Sequence, residues 1–397
     1  MNFKFSEKMG NLKASAIREI LKFTSDPSVV SFAGGNPASE AFPTKEIERI
    51  AEEILTKTPI AALQYSITEG YGPLRESIKK VILGRGETIF HEGIDDIIIM
   101  SGAQQGNELS CKVFCDAGDT LICENPSFIG SLNSFKSYGV NLVGVTLKED
   151  GVDLEELESV LKQNPNSKVI YLIPNFQNPA GSTMSLEKRK AVLELAKKYD
   201  VMILEDNPYG DLRFAGEDVP SIKSLDTEGR VIYCGSFSKV LAPGLRVGYV
   251  VAHKEVIQKI VVCKQVSDVH TNILAQMICN QFLEENDYQQ HIQKLRGIYQ
   301  HKCNLMVDCI EKYMRPYITY QVPEGGLFIW CTLPDHIDMV DFCNQAVQKK
   351  VAVVPGTAFM PNESYHTQSF RMNFSTPSDD DIVRGVKILG ELLESLS

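Results

Sequence analysis

One lysine lies among residues that could hold both reactive parts of a phosphorylated aldehyde. Lys239 follows the apolar run 231–233, lies beside Ser236 and Ser238, and precedes Arg246 by seven positions. A lysine amine can form a Schiff base with a carbonyl group, and hydroxyl groups beside a guanidinium can bind a phosphate. Pyridoxal phosphate carries both an aldehyde and a phosphate. The segment therefore predicts a pyridoxal-phosphate site with Lys239 as the reactive amine.

A second segment is suited to binding phosphate. Ser101, Gly102, Ala103 and Gln104 follow the apolar run 97–100 and open a predicted helix. The first amides of a helix have no partner within it, so a helix start is a natural anion site. The alternative at this position is an ordinary serine N-cap followed by a glycine turn.

Two further apolar runs end in polar groups. Asn178 lies in an Asn-Pro turn after the run 169–173. Its amide could donate to a phenolic oxygen of the cofactor, although Asn-Pro is also a common turn signal. Asp206 follows the run 201–204, where a carboxylate is rare unless it is paired, and it could keep a pyridine nitrogen protonated. Tyr209 could donate to the same phenolic oxygen. The alternative is a solvated strand end.

The elements that must position these residues alternate between strand and helix. Apolar runs separated by helical patterns predict an α/β fold with a mostly parallel central sheet flanked by helices. In such sheets ligands bind at the carboxyl ends of the strands, where the polar groups lie. The predicted strands are 97–100, 119–123, 141–145, 169–173, 201–204 and 231–234, and the predicted helices are 102–114 and 187–199.

The two ends of the chain predict a second, smaller α+β domain. An amphipathic helix is expected over residues 11–23, and a meander of short strands after residue 317. The predicted division is a large cofactor-binding domain, 46–284, and a small domain formed by 1–45 plus 285–397. The small-domain strands are predicted at 318–322, 326–331 and 370–374.

Composition excludes several classes of function. The net charge is −11, with acidic residues dispersed, which disfavours a nucleic-acid partner or an anionic membrane surface. No apolar run reaches the length of a membrane span, and the first residues lack the apolar core of a signal peptide. The ten cysteines show no metal-binding spacing, so reduced thiols and a cytoplasmic location are expected, with no metal site.

Taken together, these motifs resemble the fold-type I pyridoxal-phosphate aminotransferases of class I/II. Within them the chain is most similar to the 2-aminoadipate and kynurenine aminotransferase branch, which also resembles the effector domain of MocR-type regulators. The likeness covers essentially the whole chain. Its motifs are 15–19, 31–37, 64–65, 70–75, 101–106, 178–179, 206–209, 236–246 and 370–371.

The resemblance implies a role for each cofactor-binding residue. Lys239 would form the Schiff base, Asp206 would pair with the pyridine nitrogen, and Asn178 and Tyr209 would contact the phenolic oxygen. Phe128 matches the ring that stacks on the cofactor. The residues expected around the phosphate are Ser101, Gly102, Ala103, Gln104, Ser236, Ser238 and Arg246.

The resemblance also implies substrate-binding residues and a partner subunit. Arg371 would grip the substrate α-carboxylate as a planar fork, with Asn178 and Gly35 nearby. Tyr71 matches a tyrosine that reaches the phosphate of the neighbouring subunit, which implies a homodimer with shared active sites. Arg18 is either a contact for a distal substrate carboxylate or a solvated helix residue.

The predicted function is ping-pong transfer of an amino group from an L-amino acid to a 2-oxo acid, with 2-oxoglutarate as the expected acceptor. Another pyridoxal-phosphate reaction, such as β-elimination or decarboxylation, would use the same residues. A cofactor-binding sensor without turnover is the alternative from a different class. The likeness begins near residue 11, which leaves no expected room for the DNA-binding segment of such regulators.

Overall fold

The computed structural model describes residues 3–6, 9, 26, 28–84, 87–362 and 365–397. The helix predicted over 11–23, and Arg18 with it, lie outside the described residues.

The largest element is an eight-stranded sheet. In spatial order its strands are β2, β9, β8, β7, β6, β3, β4 and β5. The neighbours β8–β7, β7–β6, β6–β3 and β3–β4 are parallel, whereas β9 is antiparallel to both β2 and β8. The strand bounds are β2 Asp95–Met100, β3 Thr120–Asn125, β4 Asn141–Lys148, β5 Gly151–Val152, β6 Ser167–Leu172, β7 Met202–Asn207, β8 Val231–Ser236 and β9 Gly248–His253.

Helices cover the sheet and continue into the rest of the chain. A π-helical turn spans Ile78–Leu83, and short 3-10 helices span Ser39–Ala41, Gly210–Leu212, Pro243–Leu245, Arg315–Tyr317 and Gly356–Phe359. The α-helices are α1 Thr44–Lys57, α2 Pro59–Leu63, α3 Gly72–Ser77, α4 Ala103–Phe114, α5 Ile129–Ser137, α6 Leu154–Gln163, α7 Leu186–Lys198, α8 Ile222–Leu225, α9 Lys254–Gln265, α10 Ile273–Glu285, α11 Tyr288–Tyr313, α12 Met339–Gln348 and α13 Asp379–Leu396.

Local sequence explains why these helices form and which face they bury. In α6, the side chain of Asp153 caps the helix by accepting from the amides of Glu155 and Glu156. Leu157 and Leu161, one turn apart, are both buried and belong to the apolar cluster on one face of the sheet. An amphipathic helix with an acidic N-terminal cap therefore packs its apolar stripe against the strands.

A second, four-stranded sheet lies in the carboxyl-terminal third. Its order is β10, β11, β14 and β13, with every neighbouring pair antiparallel. The chain near residue 30 joins this region, because β1 pairs with β12 in parallel. The bounds are β1 Val30–Ser31, β10 Thr319–Tyr320, β11 Phe328–Thr332, β12 Val351–Ala352, β13 Val354–Pro355 and β14 Ser369–Asn373.

The fold class predicted from the sequence, a mostly parallel sheet flanked by helices, is confirmed. The strand β9 was not predicted, and it separates β2 from β8 in the sheet. Because β9 is antiparallel to both neighbours, β2 runs in the same direction as β6, β7 and β8. The carboxyl ends of these four strands therefore lie at one edge, where the predicted site residues follow. The predicted domain limits, 46–284 against 1–45 plus 285–397, stay a prediction.

Candidate active site

A cavity of about 390 Å³ lies at this edge of the large sheet. It is bounded by residues that follow β6, β7 and β8, by the start of α4, and by residues from the second sheet. Most of the residues singled out in the sequence line it together: Gly35, Ala103, Gln104, Phe128, Asn178, Asp206, Tyr209, Ser236, Ser238, Lys239, Arg246 and Arg371. Segments more than 300 positions apart thus meet in one place.

Lys239 lies in the turn after β8 and is held by a backbone contact. Its Nζ donates to the carbonyl oxygen of Gly35 at 2.6 Å. The surrounding protein withdraws the amine from water, and the guanidinium groups of Arg371 and Arg246 disfavour another positive charge. These effects lower the pKa of Lys239 to about 8. The lysine can therefore be uncharged, and so nucleophilic and basic, at mildly alkaline pH.

Asp206, near the end of β7, is buried with one carboxylate oxygen free. Its Oδ2 accepts from Asn107 Nδ2 at 2.8 Å and from the Tyr171 hydroxyl at 2.7 Å. Among the residues that the structure describes, its Oδ1 has no hydrogen-bond partner. Burial raises the pKa of Asp206 to about 6, while the hydrogen bonds from Tyr171 and Asn107 oppose that rise. A buried acceptor without a partner on a cavity wall suits a ring N–H donor of a ligand.

Asn178 connects the two sides of the cavity. Its Oδ1 accepts from Arg371 Nη1 at 2.8 Å, and its Nδ2 donates to the Tyr209 hydroxyl at 3.4 Å. Burial raises the pKa of Tyr209, so its hydroxyl stays protonated and remains a donor. Both Asn178 and Tyr209 can therefore offer protons to an anionic oxygen.

Arg246 lies where a phosphate is expected. Its Nη1 donates to the Ser238 hydroxyl at 3.4 Å, and its Nη2 donates to the carbonyl of Ser101 at 3.4 Å. Gly102, with φ +85°, directly precedes α4, and a Cβ there would lie 2.4 Å from Arg246 Nη2. Only glycine lets the guanidinium approach the start of α4 this closely. A helix N-terminus beside an arginine forms an anion site.

Arg371 is buried in β14 between two aromatic rings. Its guanidinium carbon lies 4.2 Å from the ring centre of Phe328 and 4.8 Å from that of Phe359. Its Nη2 donates to the carbonyl of Ala33 at 2.7 Å, whereas its buried Nε has no hydrogen-bond partner in the described part of the chain. Burial lowers the pKa of Arg371 to about 10, so the group remains charged at neutral pH. The stacking and the carbonyl fix its orientation toward a carboxylate ligand.

Comparison with known proteins decides the family. The sequence profile of the family described as "Aminotransferase class I and II" matches residues 28–389. The chain belongs to the class I and II aminotransferases. Members of this class depend on pyridoxal phosphate, and they exchange amino groups between amino acids and 2-oxo acids.

Characterised relatives are similar to this aminotransferase over nearly its full length. It is 40% identical, over 98% of its own chain and 94% of the relative, to aromatic-amino-acid aminotransferase 1 of Thermococcus litoralis. It is 38% identical, over 99% of its chain and 97% of the relative, to the 2-aminoadipate transaminase of Thermus thermophilus. The likeness to the 2-aminoadipate and kynurenine branch is therefore confirmed.

Solved structures give the same result. The kynurenine aminotransferase of Pyrococcus horikoshii superposes with a TM-score of 0.93 at 38% identity, covering 98% of this aminotransferase and 97% of that chain. Together with the sequence relatives, this similarity establishes a transaminase with the fold-type I architecture. Among the described residues, no helix is long and apolar enough to cross a membrane.

Four predicted site residues are not among those that line the cavity of the aminotransferase: Ser101, Gly102, Tyr71 and Arg18. Gly102 directly precedes α4 and packs against Arg246. The Ser101 hydroxyl donates to Asp268 at 2.7 Å and lies 3.1 Å from the Thr271 hydroxyl, so only its carbonyl faces Arg246. Tyr71 lies at the start of α3 and does not line the cavity of its own subunit. Arg18 lies outside the described residues. Their assigned roles stay predictions.

Sequence reasoning missed several residues that complete the site. Asn107 and Tyr171 hold Asp206, while Phe328 and Phe359 enclose Arg371. One signal was available, because a tyrosine within an aliphatic buried strand needs a partner for its hydroxyl. Nothing in the sequence indicates that the two phenylalanines flank an arginine.

Proposed function

We propose that this aminotransferase holds pyridoxal phosphate at Lys239 and moves an amino group from an L-amino acid to a 2-oxo acid, with 2-oxoglutarate as acceptor. The observation that carries the proposal is the unpartnered, buried Oδ1 of Asp206 in the same cavity as a lysine of lowered pKa. A buried carboxylate oxygen without a donor is costly, and a protonated pyridine nitrogen would satisfy it.

Other residues of the cavity match the remaining groups of this cofactor. Asn178 and Tyr209 offer donors to the phenolic oxygen, and Phe128 offers an aromatic face. The phosphate would lie between Arg246 and the start of α4, with the predicted contacts Ser101, Gly102, Ala103, Gln104, Ser236 and Ser238. When bound, pyridoxal phosphate supplies an aldehyde that bonds to amines and a ring that accepts the electrons left by removal of a proton.

Lys239 would carry the proton. Its Nζ, when uncharged and not bonded to the cofactor, would be a free amine in the same cavity as Arg371, the proposed contact of the substrate α-carboxylate. The lowered pKa means that this Nζ can accept a proton near neutral pH and return it to a different carbon. Asp206, as an ionised carboxylate at the ring nitrogen, would stabilise the positive charge that favours this transfer.

Arg371 would bind the substrate α-carboxylate. Its orientation is fixed by Asn178, by the carbonyl of Ala33 and by the two stacked rings, so the free edge of the guanidinium is presented without further rearrangement. Lys239 donates to the backbone carbonyl of Gly35, two residues from the Ala33 carbonyl that accepts from Arg371. Arg18 remains the predicted contact for a distal carboxylate.

The donor is proposed to be an aromatic amino acid or 2-aminoadipate. This proposal rests on the named activities of the relatives from Thermococcus litoralis and Thermus thermophilus. The charged side chains that line the cavity beside Asp206 are Lys239, Arg246 and Arg371, all of which have roles already. Recognition of a second carboxylate would therefore fall to a residue beyond this described lining, such as Arg18.

The functional unit is proposed to be a cytoplasmic homodimer with shared sites. Apolar side chains in two segments, 60–67 before Tyr71 and 266–269 just after α9, are strongly exposed. Tyr65 contacts His270 with ring centres 5.9 Å apart, which places the two segments side by side. Burial of such a surface against a second copy would remove apolar area from water. The exposed residues are Ile60, Leu63, Tyr65, Ile67, Val266 and Val269.

The central experiment is reductive trapping. The purified protein is incubated with pyridoxal phosphate, reduced with borohydride and digested, and the labelled peptide is identified by mass spectrometry. Label on Lys239, loss of the visible absorbance in Lys239→Ala, and conversion of 2-oxoglutarate to glutamate with aromatic or 2-aminoadipate donors are expected. Label on another lysine, or ammonia and pyruvate as products in place of glutamate, would contradict the proposal.

The shared site has its own test. Tyr71→Phe and Lys239→Ala subunits are each impaired, but a mixed dimer contains one site with neither substitution. Mixing equal amounts of the two variants after reversible dissociation should make half of the dimers mixed, each with one intact site of two, and so restore about a quarter of the wild-type activity. Sedimentation as a monomer, or no recovery on mixing, would contradict a shared-site dimer.

A further inference from the structure

Two polar side chains contact one oxygen of Asp206, and a third polar side chain contacts both of them. Asn107 comes from α4, Ser131 from α5 and Tyr171 from β6. Tyr171 and Asn107 both contact Asp206 Oδ2, and both also contact Ser131 Oγ, at 2.9 Å and 3.1 Å. Three different elements thus meet behind the proposed ring-nitrogen partner.

The protons in this group can be assigned from chemistry. Asn107 has two N–H bonds, one for Asp206 Oδ2 at 2.8 Å and one for Ser131 Oγ at 3.1 Å. Tyr171 has one proton, and because a carboxylate oxygen only accepts, that proton goes to Asp206 Oδ2 at 2.7 Å. Ser131 then donates its proton to the Tyr171 oxygen. Each donor in the group is used, and the group ends on Oδ2.

The group is almost completely buried, and only Asp206 and Asn107 border the cavity. Tyr171 and Ser131 are fully buried, and Asn107 and Asp206 are exposed by only 1% and 3%. With Oδ2 occupied by two donors, Oδ1 is the acceptor left to a ligand. Because water cannot replace a lost donor here, each hydrogen bond in the group affects the carboxylate strongly.

We propose that Tyr171, Asn107 and Ser131 form a positioning network that fixes the Asp206 carboxylate with Oδ1 presented to the ring nitrogen of the cofactor. The three residues act through Asp206 and do not bind the cofactor themselves in this role. The inference rests on the proposed function, because it assumes that pyridoxal phosphate binds at Asp206.

The network favours the ionised carboxylate. Burial raises the pKa of Asp206 to about 6, and the hydrogen bonds from Tyr171 and Asn107 are the causes that lower it. Removal of the Tyr171 hydroxyl should raise the pKa further. A carboxyl group that is protonated more often pairs less well with a protonated ring nitrogen, so cofactor affinity should fall.

The main test measures cofactor affinity in apoprotein variants by absorbance titration across pH 5.5–8.5. Tyr171→Phe should weaken affinity for pyridoxal phosphate about tenfold or more at pH 7, since hydrogen bonds to charged groups are strong. In the same variant, cofactor affinity should be lost at a higher pH than in the wild-type protein. Tyr299→Phe is the matched control, because Tyr299 is equally buried and its hydroxyl contacts the Ala38 amide instead.

A cofactor analogue isolates the ring nitrogen. In 1-deaza pyridoxal phosphate a carbon replaces that nitrogen, so the network has no partner to act upon. The wild-type protein and Tyr171→Phe should bind this analogue with equal affinity. An equal loss for both cofactor forms would show a general structural effect and would overturn the inference.

Ser131→Ala provides a second variant that changes only one oxygen atom. It touches neither the cofactor site nor Asp206, yet it should weaken affinity and shift the pH midpoint in the same direction, by less than Tyr171→Phe. If Asp206→Ala loses affinity while Tyr171→Phe and Ser131→Ala behave as wild type, the network inference fails and the proposed function stands. If Asp206→Ala also binds as wild type, the proposed cofactor site itself is wrong.

Discussion

The lowered pKa of Lys239 leads to a quantitative prediction about how the apoprotein reacts with aldehydes. The pKa is about 8 where 10.5 is usual for lysine. At pH 7 about one such amine in eleven is uncharged, against about one in three thousand for an ordinary lysine, a difference of about 300-fold. Because only the uncharged amine attacks an aldehyde, the rate of cofactor attachment should rise with pH and level off above pH 8.

The assay compares the apoprotein with the amino acid lysine, whose α-amino group is blocked so that only its side-chain amine reacts. Initial rates of visible absorbance growth with pyridoxal phosphate are recorded from pH 6.5 to 10 for both, and the ratio of the two rates removes the cofactor's own titration. Below pH 8 both rates should rise about tenfold per pH unit, so the ratio stays level. Above pH 8 the ratio should fall, because free lysine continues to lose its proton. A ratio that is flat to pH 10 would refute the lowered pKa.

A pair of arginine variants tests its cause. Arg371→Met removes one of the two cations that disfavour a charged Lys239, so the levelling point should move to higher pH. Arg213→Met is the matched control, since Arg213 is also buried and also lies over a phenylalanine ring, Phe176, at 4.8 Å. Arg213 does not line the cavity, so its variant should leave the levelling point unchanged.

Three further predictions follow from the same contacts. The pKa of Lys239 is about 8 in the folded protein and 10.5 in an ordinary lysine, so protonation of Lys239 lowers the free energy of unfolding as the pH drops from 10.5 to 8. In the apoprotein, Lys239→Met should therefore raise the free energy of unfolding by up to about 3 kcal/mol at pH 7 and by less at pH 10, measured by calorimetry. Arg371→Lys should raise the amino-acid KM about tenfold or more, because a point charge cannot bind a carboxylate as a fork, while cofactor affinity measured by titration should hold. Gly102→Ala should weaken cofactor affinity by displacing Arg246. Gly118→Ala should not, because at this position, with φ +93°, no atom of the described residues lies within 4 Å of the added Cβ. Equal cofactor affinity of the two glycine variants would rule out the arginine contact.

The sequence alone determined the fold class, the family and the candidate reactive residues. Buried parallel strands produce continuous apolar runs in the sequence. The polar residues that follow these runs, such as Asp206 and Lys239, indicate where the strands end, and no knowledge of distant contacts is needed to find them. Those features are local in the chain, so pattern and residue type suffice to predict them. The sequence predicts a turn at Gly102, but it does not show that glycine is needed there because Arg246 lies against its backbone.

Only the tertiary structure decided how these residues act. Lys239 meets the carbonyl of Gly35 across more than two hundred positions, and Arg371 lies between Phe328 and Phe359. The direction of each pKa shift depends on burial and on charges brought close by folding. The hydrogen bonds that occupy one oxygen of Asp206 and leave the other free likewise come from separate elements. Such contacts have no sequence period, because they are fixed by three-dimensional packing and not by the local conformation of any one segment.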